Sequence, residues 1–475
     1  MIPLSADEAG YALHLPPLRQ DVTGVSADTR TLRPGDLFVA LIGERFNGHH
    51  YVEAAFAVGA SGAVVQAGAG AEQVQSVVSA PERDRLYVVP DTLVALGDLA
   101  RAVRQKSSAI VIAVTGSMGK TGTKDLIRSM AGMERVVLAT EFNLNNEVGV
   151  PLTLLQIDRS TELVVVEMGM RGLGQIQYLT RMARPQVGVV TNVAPVHLEL
   201  LGSMEAIAEA KAELLLALEG SGVCVVPAGE DLLRSWLERS AAKAVSFGLD
   251  PQERNPPPDV VGRAALREAT RCLLQVSWPE GEAEVVTPFT ARYKMQNTVA
   301  AAAACYAAGL DLEVCLNGVA GVDFTPGRGD EYEAGGRIIL DDSYNANPQA
   351  TVAALSHLME RAEETGGRPV AVLGDMLELG PDAAAYHAEV GREAARLGIG
   401  TLLAVGSYAE PMARAFLAEA SGEVTADWCG LDAVRQGAAL LMERLQPGDV
   451  VLVKASRRVG LDRLVQYLIS GTPVG

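Results

Sequence analysis

Runs of apolar residues alternate with amphipathic stretches along most of the chain. In its middle part the apolar runs read AIVIAVTG, ELVVVEMG, QVGVVTNV and GVCVVPA, and SMEAIAEAKAELLLAL has the residue spacing of a helix. Continuous apolar strands separated by helices are typical of a parallel sheet that is covered on both faces. The pattern therefore predicts an α/β protein.

The alternation divides into three parts, as expected because 475 residues are too many for one hydrophobic core. The first has three short strands and a helix. The second ends in a small β excursion and an alanine-rich helix, and the third contains RIILDDS, RPVAVLGD, TLLAVGS and DVVLVKAS as strands. We predict a small α/β domain over 1–91, a central P-loop domain with a parallel sheet over 92–325, and a Rossmann-like domain over 326–475.

Composition narrows the class of protein. A net charge of −18 argues against broad binding to nucleic acid or anionic membranes, but it leaves room for a local phosphate site. The N-terminus lacks the basic and apolar regions of a signal peptide, and no apolar run is long enough to span a bilayer. The five scattered cysteines are expected to be buried thiols, so we predict a cytoplasmic protein without membrane insertion.

The stretch AIVIAVTGSMGKTGTK has a strand, a glycine loop and a helix start in the order of a phosphate-binding loop. The full P-loop motif needs a glycine where Val114 stands, so the motif is the shorter G-x-x-G-K-T over 116–121. Lys120 and the backbone N–H groups would bind phosphate, and Thr121 would bind Mg²⁺. The motif leaves three readings open: a coincidence, an ordinary P-loop ATPase, or a different kind of ATP user.

Three further residues could complete a metal site. Glu167 ends an apolar strand, His197 follows the next strand, and Lys211 lies on the amphipathic helix. Taken alone, each is more often a solvated strand end, a loop histidine or a surface charge, although a neighbouring P-loop favours Glu167 as a metal ligand. The chain has only seven lysines against 33 arginines, so the remaining lysines are enriched for sites that require an amine.

The motifs together resemble the Mur ligases. GSMGKTGTK, NLNNEVGVP, VVEMGM, TNVAPVHLE, TPGRG, DDSYNANP, VLGDMLELG and VLVKASR occur in the order of that family, and the last four resemble its dipeptide-adding branch. The resemblance covers nearly the whole chain and accounts for the short loop. It implies an ATP-dependent amide ligase of peptidoglycan precursor synthesis that adds D-Ala-D-Ala to UDP-MurNAc-tripeptide through an acyl phosphate.

The resemblance also implies roles for individual residues. Phosphate and ATP contacts fall on Gly116, Ser117, Met118, Gly119, Lys120, Thr121, Asn297, Arg328 and Asp342, with Asn297 at the adenine. Two Mg²⁺ sites fall on Thr121, Glu167, His197 and Lys211, and Lys211 would carry a CO₂-derived carbamate. Substrate contacts fall on Asp28, Thr29, Arg30, Asn47, Gly48 and His49 in a uridine-nucleotide domain, and on Asn145 and Asn146. Lys454, Ser456 and Arg457 are expected near the closed active site.

The chain departs from the family pattern at five positions. Met118 and Gly122 replace Asn and Thr in the loop, Asn47 replaces Asp, Gln175 replaces Glu, and Tyr293 replaces His. The alternatives are an amino-acid-adding or folylpolyglutamate-type ligase, a non-catalytic nucleotide-binding protein and a mechanochemical ATPase. We expect a monomer whose third domain swings onto the second to exclude water from the acyl phosphate.

Overall fold

The computed structural model describes residues 1–43, 46–196, 198–218, 220–251, 256–267, 271–431 and 434–471. Over these ranges the strands form three sheets, of four, nine and six strands. All three contain parallel strands joined through helices, which confirms the predicted α/β class.

The N-terminal sheet is entirely parallel, in the order β1-β2-β3-β4. Its elements are β1 (Val25–Ser26), β2 (Leu37–Val39), β3 (Gly62–Gln66), β4 (Leu86–Val89), α1 (Ala6–Ala12), α2 (Val52–Val58), α3 (Ala69–Val77) and α4 (Ala80–Arg83). The sequence pattern predicted three strands, because the first strand has only two residues and no apolar run of its own.

The central sheet is the largest, in the order β13-β12-β11-β10-β9-β8-β5-β7-β6. Its strands are β5 (Ile110–Thr115), β6 (Val137–Ala139), β7 (Leu163–Glu167), β8 (Val187–Val190), β9 (Val223–Pro227), β10 (Lys243–Leu249), β11 (Val260–Arg267), β12 (Cys272–Trp278) and β13 (Gly281–Thr287). Its helices are α5 (Thr92–Gln105), α6 (Lys120–Ala131), α7 (Gly149–Leu154), α8 (Gln175–Ala183), α9 (Leu198–Leu201), α10 (Met204–Leu216), α11 (Asp231–Arg239), α12 (Arg292–Ala307) and α13 (Leu312–Leu316). Only β11–β12 and β12–β13 pair antiparallel, and this meander is the predicted β excursion.

Strand β5 shows why the central strands are apolar throughout. Val111 and Ala113 belong to a core that includes Leu99 of α5, whereas Ile112 and Val114 belong to a second core with Leu126 of α6. Successive side chains of a strand point to opposite faces, so a strand buried on both faces needs apolar residues at every position. The double burial fixes the end of β5, and therefore the loop that follows it.

The C-terminal sheet has the order β14-β15-β19-β16-β17-β18, with only β14 antiparallel. Its elements are β14 (Asp330–Ala334), β15 (Arg337–Asp342), β16 (Pro369–Gly374), β17 (Thr401–Val405), β18 (Thr425–Cys429), β19 (Val450–Lys454), α14 (Pro348–Thr365), α15 (Ala383–Arg396), α16 (Ala409–Glu419), α17 (Val434–Arg444) and α18 (Asp462–Ser470). The pattern predicted four strands. It missed β14 and β18, whose sequences DEYEA and TADWC are largely polar.

The structure bears on two predictions from composition, the absence of a membrane-spanning segment and the burial of the cysteines. None of the helices within the described ranges is long and apolar enough to cross a membrane. None of the five cysteines, all of which lie in the described ranges, forms a disulfide, and four are buried; the prediction of buried thiols was wrong for Cys429, which is half-buried at the end of an edge strand.

Candidate active site

The loop after β5 leaves backbone N–H groups at the start of α6 without a side-chain cap. Gly116 and Gly119 have φ angles of 146° and 76°, which favour glycine. A Cβ on Gly116 would lie 1.9 Å from Thr191 Oγ1, so no larger residue fits without rearrangement. The helix begins at Lys120, as the sequence predicted, and its N-terminus is a ready site for an anion.

The neighbouring segment after β8 holds this loop in place. The Met118 N–H donates to Asn192 Oδ1 at 2.9 Å, and Asn192 Nδ2 donates to the Met118 carbonyl at 3.1 Å. Ser117 Oγ donates to the Ala194 carbonyl at 2.8 Å. Asn192 was not predicted as a loop residue, since nothing in the sequence TNVAP shows that its amide would fold over the loop. These hydrogen bonds use the backbone of Met118, not its side chain.

Lys120 folds back over the loop. Its Nζ donates to the Gly116 carbonyl at 2.7 Å. Burial lowers the pKa of Lys120, the nearby Glu167 carboxylate opposes that shift, and Arg328 adds to it. An anionic ligand in the loop would favour the charged ammonium again.

Glu167 lies at the end of β7 and is 1% exposed. Its Oε1 accepts from Asn145 Nδ2 at 2.7 Å, while the buried Oε2 has no hydrogen-bond partner among the residues that the structure describes. A buried carboxylate oxygen without a partner is costly unless a ligand completes it. The free oxygen and the buried Thr121 hydroxyl, which line the same cleft, are the ligand types that Mg²⁺ prefers.

Lys211 lies on α10 and is 1% exposed. Burial, and secondarily Lys120, hold the pKa of Lys211 well below its usual value. Such an environment favours a neutral amine, which is the nucleophilic form. His197 lies outside the described residues, so its pairing with Lys211 stays a prediction.

The third sheet brings further residues to the loop. The Arg328 guanidinium lies 4.0 Å above the ring of Tyr344, and its buried Nε has no hydrogen-bond partner within the described ranges. Asp342 accepts from Lys454 Nζ at 2.6 Å at the adjoining ends of β15 and β19. The role of Tyr344 as the platform under Arg328 was missed, because a tyrosine inside a matched motif gives no sign of its stacking partner.

The predicted asparagines serve in different ways. Asn297, on α12, lies against the loop: a Cβ on Gly119 would be 2.5 Å from its Oδ1, and Gly122 leaves space for its Nδ2. Asn145 holds Glu167. Asn146 Oδ1 instead accepts the N–H groups of residues 148 and 149, so its side chain closes the turn before α7.

A cleft of about 740 Å³ collects these groups between the second and third sheets. The predicted residues that line it are Gly116, Ser117, Met118, Gly119, Lys120, Thr121, Asn145, Asn146, Glu167, Lys211, Asn297, Arg328, Asp342, Lys454, Ser456 and Arg457. Eight lysines and arginines and four carboxylates line the cleft, so basic side chains outnumber acidic ones there, even with Lys211 neutral, in a chain of net charge −18. The local charge favours an anionic ligand.

The six predicted uridine-site residues do not line this cleft. Asp28 and Arg30 form an exposed ion pair, Thr29 lies between them, and Gly48 packs against the backbone of Leu41. Burial lowers the pKa of His49. Its Nε2 accepts from the Gln66 N–H at 2.9 Å, so Nδ1 is the protonated nitrogen, and it donates to Asn47 Oδ1 at 2.7 Å.

Comparison with known families matches three parts of the chain. Residues 21–104 match the model described as Mur ligase family, catalytic domain. Residues 114–305 match the Mur ligase middle domain, and residues 327–457 match the Mur ligase, glutamate ligase domain. The three matches together extend over most of the chain and include most of the residues that line the cleft.

Individual relatives agree with these matches over nearly their full length. UDP-N-acetylmuramoyl-tripeptide–D-alanyl-D-alanine ligase of Escherichia coli is 34% identical over 451 residues, covering 94% of each protein. A crystal structure of MurF from Acinetobacter baumannii has a TM-score of 0.85 at 28% identity and covers 98% of this chain and 99% of its own. MurF ligase from Thermotoga maritima in complex with ADP has a TM-score of 0.79 at 27% identity and covers 94% of this chain and 96% of its own. The chain belongs to the Mur ligase family.

Proposed function

We propose that the protein is an ATP-dependent amide ligase that adds D-Ala-D-Ala to UDP-MurNAc-tripeptide in peptidoglycan precursor synthesis. The named activity of full-length relatives and the ADP bound by a similar structure support this proposal. The observation that carries it furthest is the combination, in one cleft, of an open phosphate loop, a carboxylate oxygen without a partner and a buried lysine. A protein that only stored nucleotide with its metal would not need the buried lysine.

The reaction explains the cationic cleft. A carboxylate is a poor electrophile until one oxygen becomes part of a phosphate leaving group. ATP would phosphorylate the tripeptide carboxylate, and the dipeptide amine would attack the acyl carbon and expel inorganic phosphate. Both substrates of the first step are anions, so Lys120, Arg328 and the loop N–H groups would bring them together and stabilise the charge transferred.

The residues at the end of β7 fit a divalent metal. Glu167 Oε2 and the Thr121 hydroxyl would hold one Mg²⁺, since the first is buried with no hydrogen-bond partner in the described part of the chain and the second lies in the same cleft. Bound there, Mg²⁺ supplies neutralisation of phosphate charge. Asn145 keeps the carboxylate oriented through Oε1.

We further propose that Lys211 is carbamylated and, with His197, holds a second Mg²⁺. A neutral buried amine reacts with CO₂ to give a carbamate, and this converts a cation into an anionic oxygen ligand. The low pKa that burial gives Lys211 supports this reaction. Arginine has no equivalent chemistry at neutral pH.

The other predicted contacts complete the proposal. Asn297 would contact adenine, and Asp342 would assist from the third sheet. Asn145 and Asn146 would face the muramyl part, and residues 28–30 and 47–49 would bind the uridine nucleotide. The domains would be 1–91, 92–325 and 326–475, in a cytoplasmic monomer.

The test is phosphate release from ATP with UDP-MurNAc-tripeptide, measured with and without D-Ala-D-Ala. We expect release that depends on the dipeptide and forms one amide product per phosphate. Release that ignores the dipeptide, or no release with every substrate present, would overturn the proposal. Where Lys211 is replaced in the same assay, Lys243→Ala, at an exposed lysine on β10, is the control for general effects of removing a lysine.

A further inference from the structure

The segment 325–329 connects the central part of the chain to β14 and contains Arg328. Gly327 and Gly329, on either side of that arginine, have φ angles of 76° and 79°. A Cβ on Gly329 would lie 2.1 Å from the Tyr293 hydroxyl, so the segment passes tightly against α12. The position of Arg328 thus depends on how this short connection is held.

On the C-terminal side, the connection is tied to the third sheet. The Gly327 N–H donates to Asp330 Oδ2 at 2.8 Å, and the Gly329 N–H donates to the Asp341 carbonyl at 2.7 Å. The Tyr344 N–H donates to the Gly327 carbonyl at 3.1 Å. These hydrogen bonds attach the segment around Arg328 to the third sheet.

On the central side, one carboxylate holds the connection. Asp125 Oδ2 accepts from both the N–H and the Oγ1 of Thr325, at 2.9 and 3.0 Å, across 200 residues of sequence. Asp125 is 3% exposed and lies on α6, five residues after Lys120. The helix that begins at the phosphate loop therefore also grips the connection three residues before Arg328.

The same carboxylate belongs to a buried chain of polar contacts that reaches the proposed metal ligand. Its other oxygen pairs with Lys124, whose Nζ also donates to the Thr140 carbonyl at 2.9 Å. Thr140 Oγ1 in turn accepts the N–H of Glu167 at 3.0 Å. Buried networks of this kind are rigid when every member is satisfied.

We infer that Asp125 is a positioning residue, which sets the placement of Arg328 over the phosphate loop by anchoring Thr325. It need not touch a substrate. Its carboxylate holds the segment 325–329 against α6, the helix that begins at the phosphate loop. Arg328 is therefore kept at a fixed distance from the loop. The inference rests on the proposed function, in which Arg328 stabilises transferred phosphate charge.

Double-mutant cycles between the anchor and Arg328 test this inference in the full-length protein. Thr325→Val removes the hydroxyl hydrogen bond and keeps the backbone one, whereas Asp125→Asn weakens both. Since one hydrogen bond contributes about 1 kcal/mol, we expect kcat to fall about fivefold for Thr325→Val and more for Asp125→Asn. Thr325→Ser keeps the hydroxyl and should retain most of the activity. The KM for UDP-MurNAc-tripeptide should change less than twofold in all three.

The result that decides is whether the effects of the Asp125 and Arg328 substitutions on activity are coupled. If Asp125 acts through Arg328, Asp125→Asn combined with Arg328→Ala loses no more activity than Arg328→Ala alone. Losses that multiply, or full activity in both Asp125→Asn and Thr325→Val, would overturn the inference. Should Asp125→Asn fail to fold because Lys124 loses its partner, the Thr325→Val and Arg328→Ala cycle gives the same reading. A wild-type protein without dipeptide-dependent phosphate release would instead overturn the proposed function.

Discussion

The charged groups of the large cleft and those of the N-terminal module, residues 1–91, lie in opposite environments. In the cleft, Glu167 and Lys211 are each 1% exposed; one Glu167 oxygen has no hydrogen-bond partner among the described residues, and the pKa of Lys211 is well below its usual value. In the module, the Arg30 and Asp28 side chains are 86% and 40% exposed and satisfy each other.

The difference shows how much folding free energy each region loses before its ligand binds. Burying a charge without a partner costs free energy, which is recovered only when a ligand or metal arrives. An exposed ion pair contributes little to folding and can open toward a ligand at small cost. Substitutions in the cleft should therefore reduce catalysis without loss of stability, whereas those in the module should alter substrate affinity.

Removal of the Lys211 amine should have the largest effect. We expect Lys211→Ala to lower the ligation rate by about 1,000-fold, because it removes a group that stabilises charge in the reaction. Short carboxylates such as formate or acetate should restore part of the rate, since they can occupy the space of the missing carbamate. Full activity of Lys211→Arg would contradict the carbamate.

Glu167→Gln is the next sharpest test of the contrast. The amide can still accept from Asn145 but is a weak metal ligand, so we expect a loss of about 100-fold, within the range for an oriented charge-stabilising group. The midpoint of thermal unfolding without ligand should not fall, because a buried charge with an unsatisfied oxygen has been removed. The added stability from Mg²⁺ and ADP should shrink, as a thermal shift assay would show. A large drop in the ligand-free midpoint would instead assign Glu167 a structural role.

The fold was largely predictable because its strongest signals are local. Doubly buried strands such as β5 require apolar residues at every position, and that pattern is visible without a structure. β14 and β18 were missed because an edge strand has one partner and can be polar. The two-residue β1 is too short to have a pattern at all.

The site residues that local backbone geometry and sequence spacing define could be predicted. Those that are defined by tertiary contacts could not. Gly116, Gly119 and Lys120 follow from a strand, a tight turn and a helix start in one stretch. Asn192 and Asp125 could not be assigned, because their partners lie 74 and 200 residues away in sequence. Asn146 adds a local hydrogen bond that its motif does not reveal: its side-chain oxygen accepts the N–H of Gly149 in its own turn, while its predicted substrate contact stays a prediction.

Asp28→Ala tests the N-terminal half of the comparison. We expect the KM for UDP-MurNAc-tripeptide to rise about tenfold, the size of one lost charge-assisted hydrogen bond, while kcat stays within twofold. Thermal stability should barely change, because the ion pair is exposed. An equal fall in kcat with KM unchanged would place Asp28 outside substrate binding.

The stability of the ligand-free protein should depend on pH through Lys211. Because burial lowers its folded pKa, the unfolded chain binds more protons between the folded and unfolded values, so stability rises with pH in that window. Lys211→Met should be more stable than the wild type at pH 7 in CO₂-free buffer. The gap should close as the pH approaches about 10.4, the ordinary lysine value. A gap that does not change with pH would show that packing alone is responsible.

The smallest effect is expected at Met118, where the family resemblance predicts Asn. The loop is held through the Met118 N–H and carbonyl, both bonded to Asn192, so Met118→Asn should change kcat and the KM for ATP less than twofold. Gly122→Thr is the matched contrast in the same loop. Its new Cβ would lie 2.8 Å from Asn297 Nδ2, so it should displace that side chain and raise the KM for ATP severalfold. If Met118→Asn had the larger effect, the side chain and not the backbone of residue 118 would govern the loop.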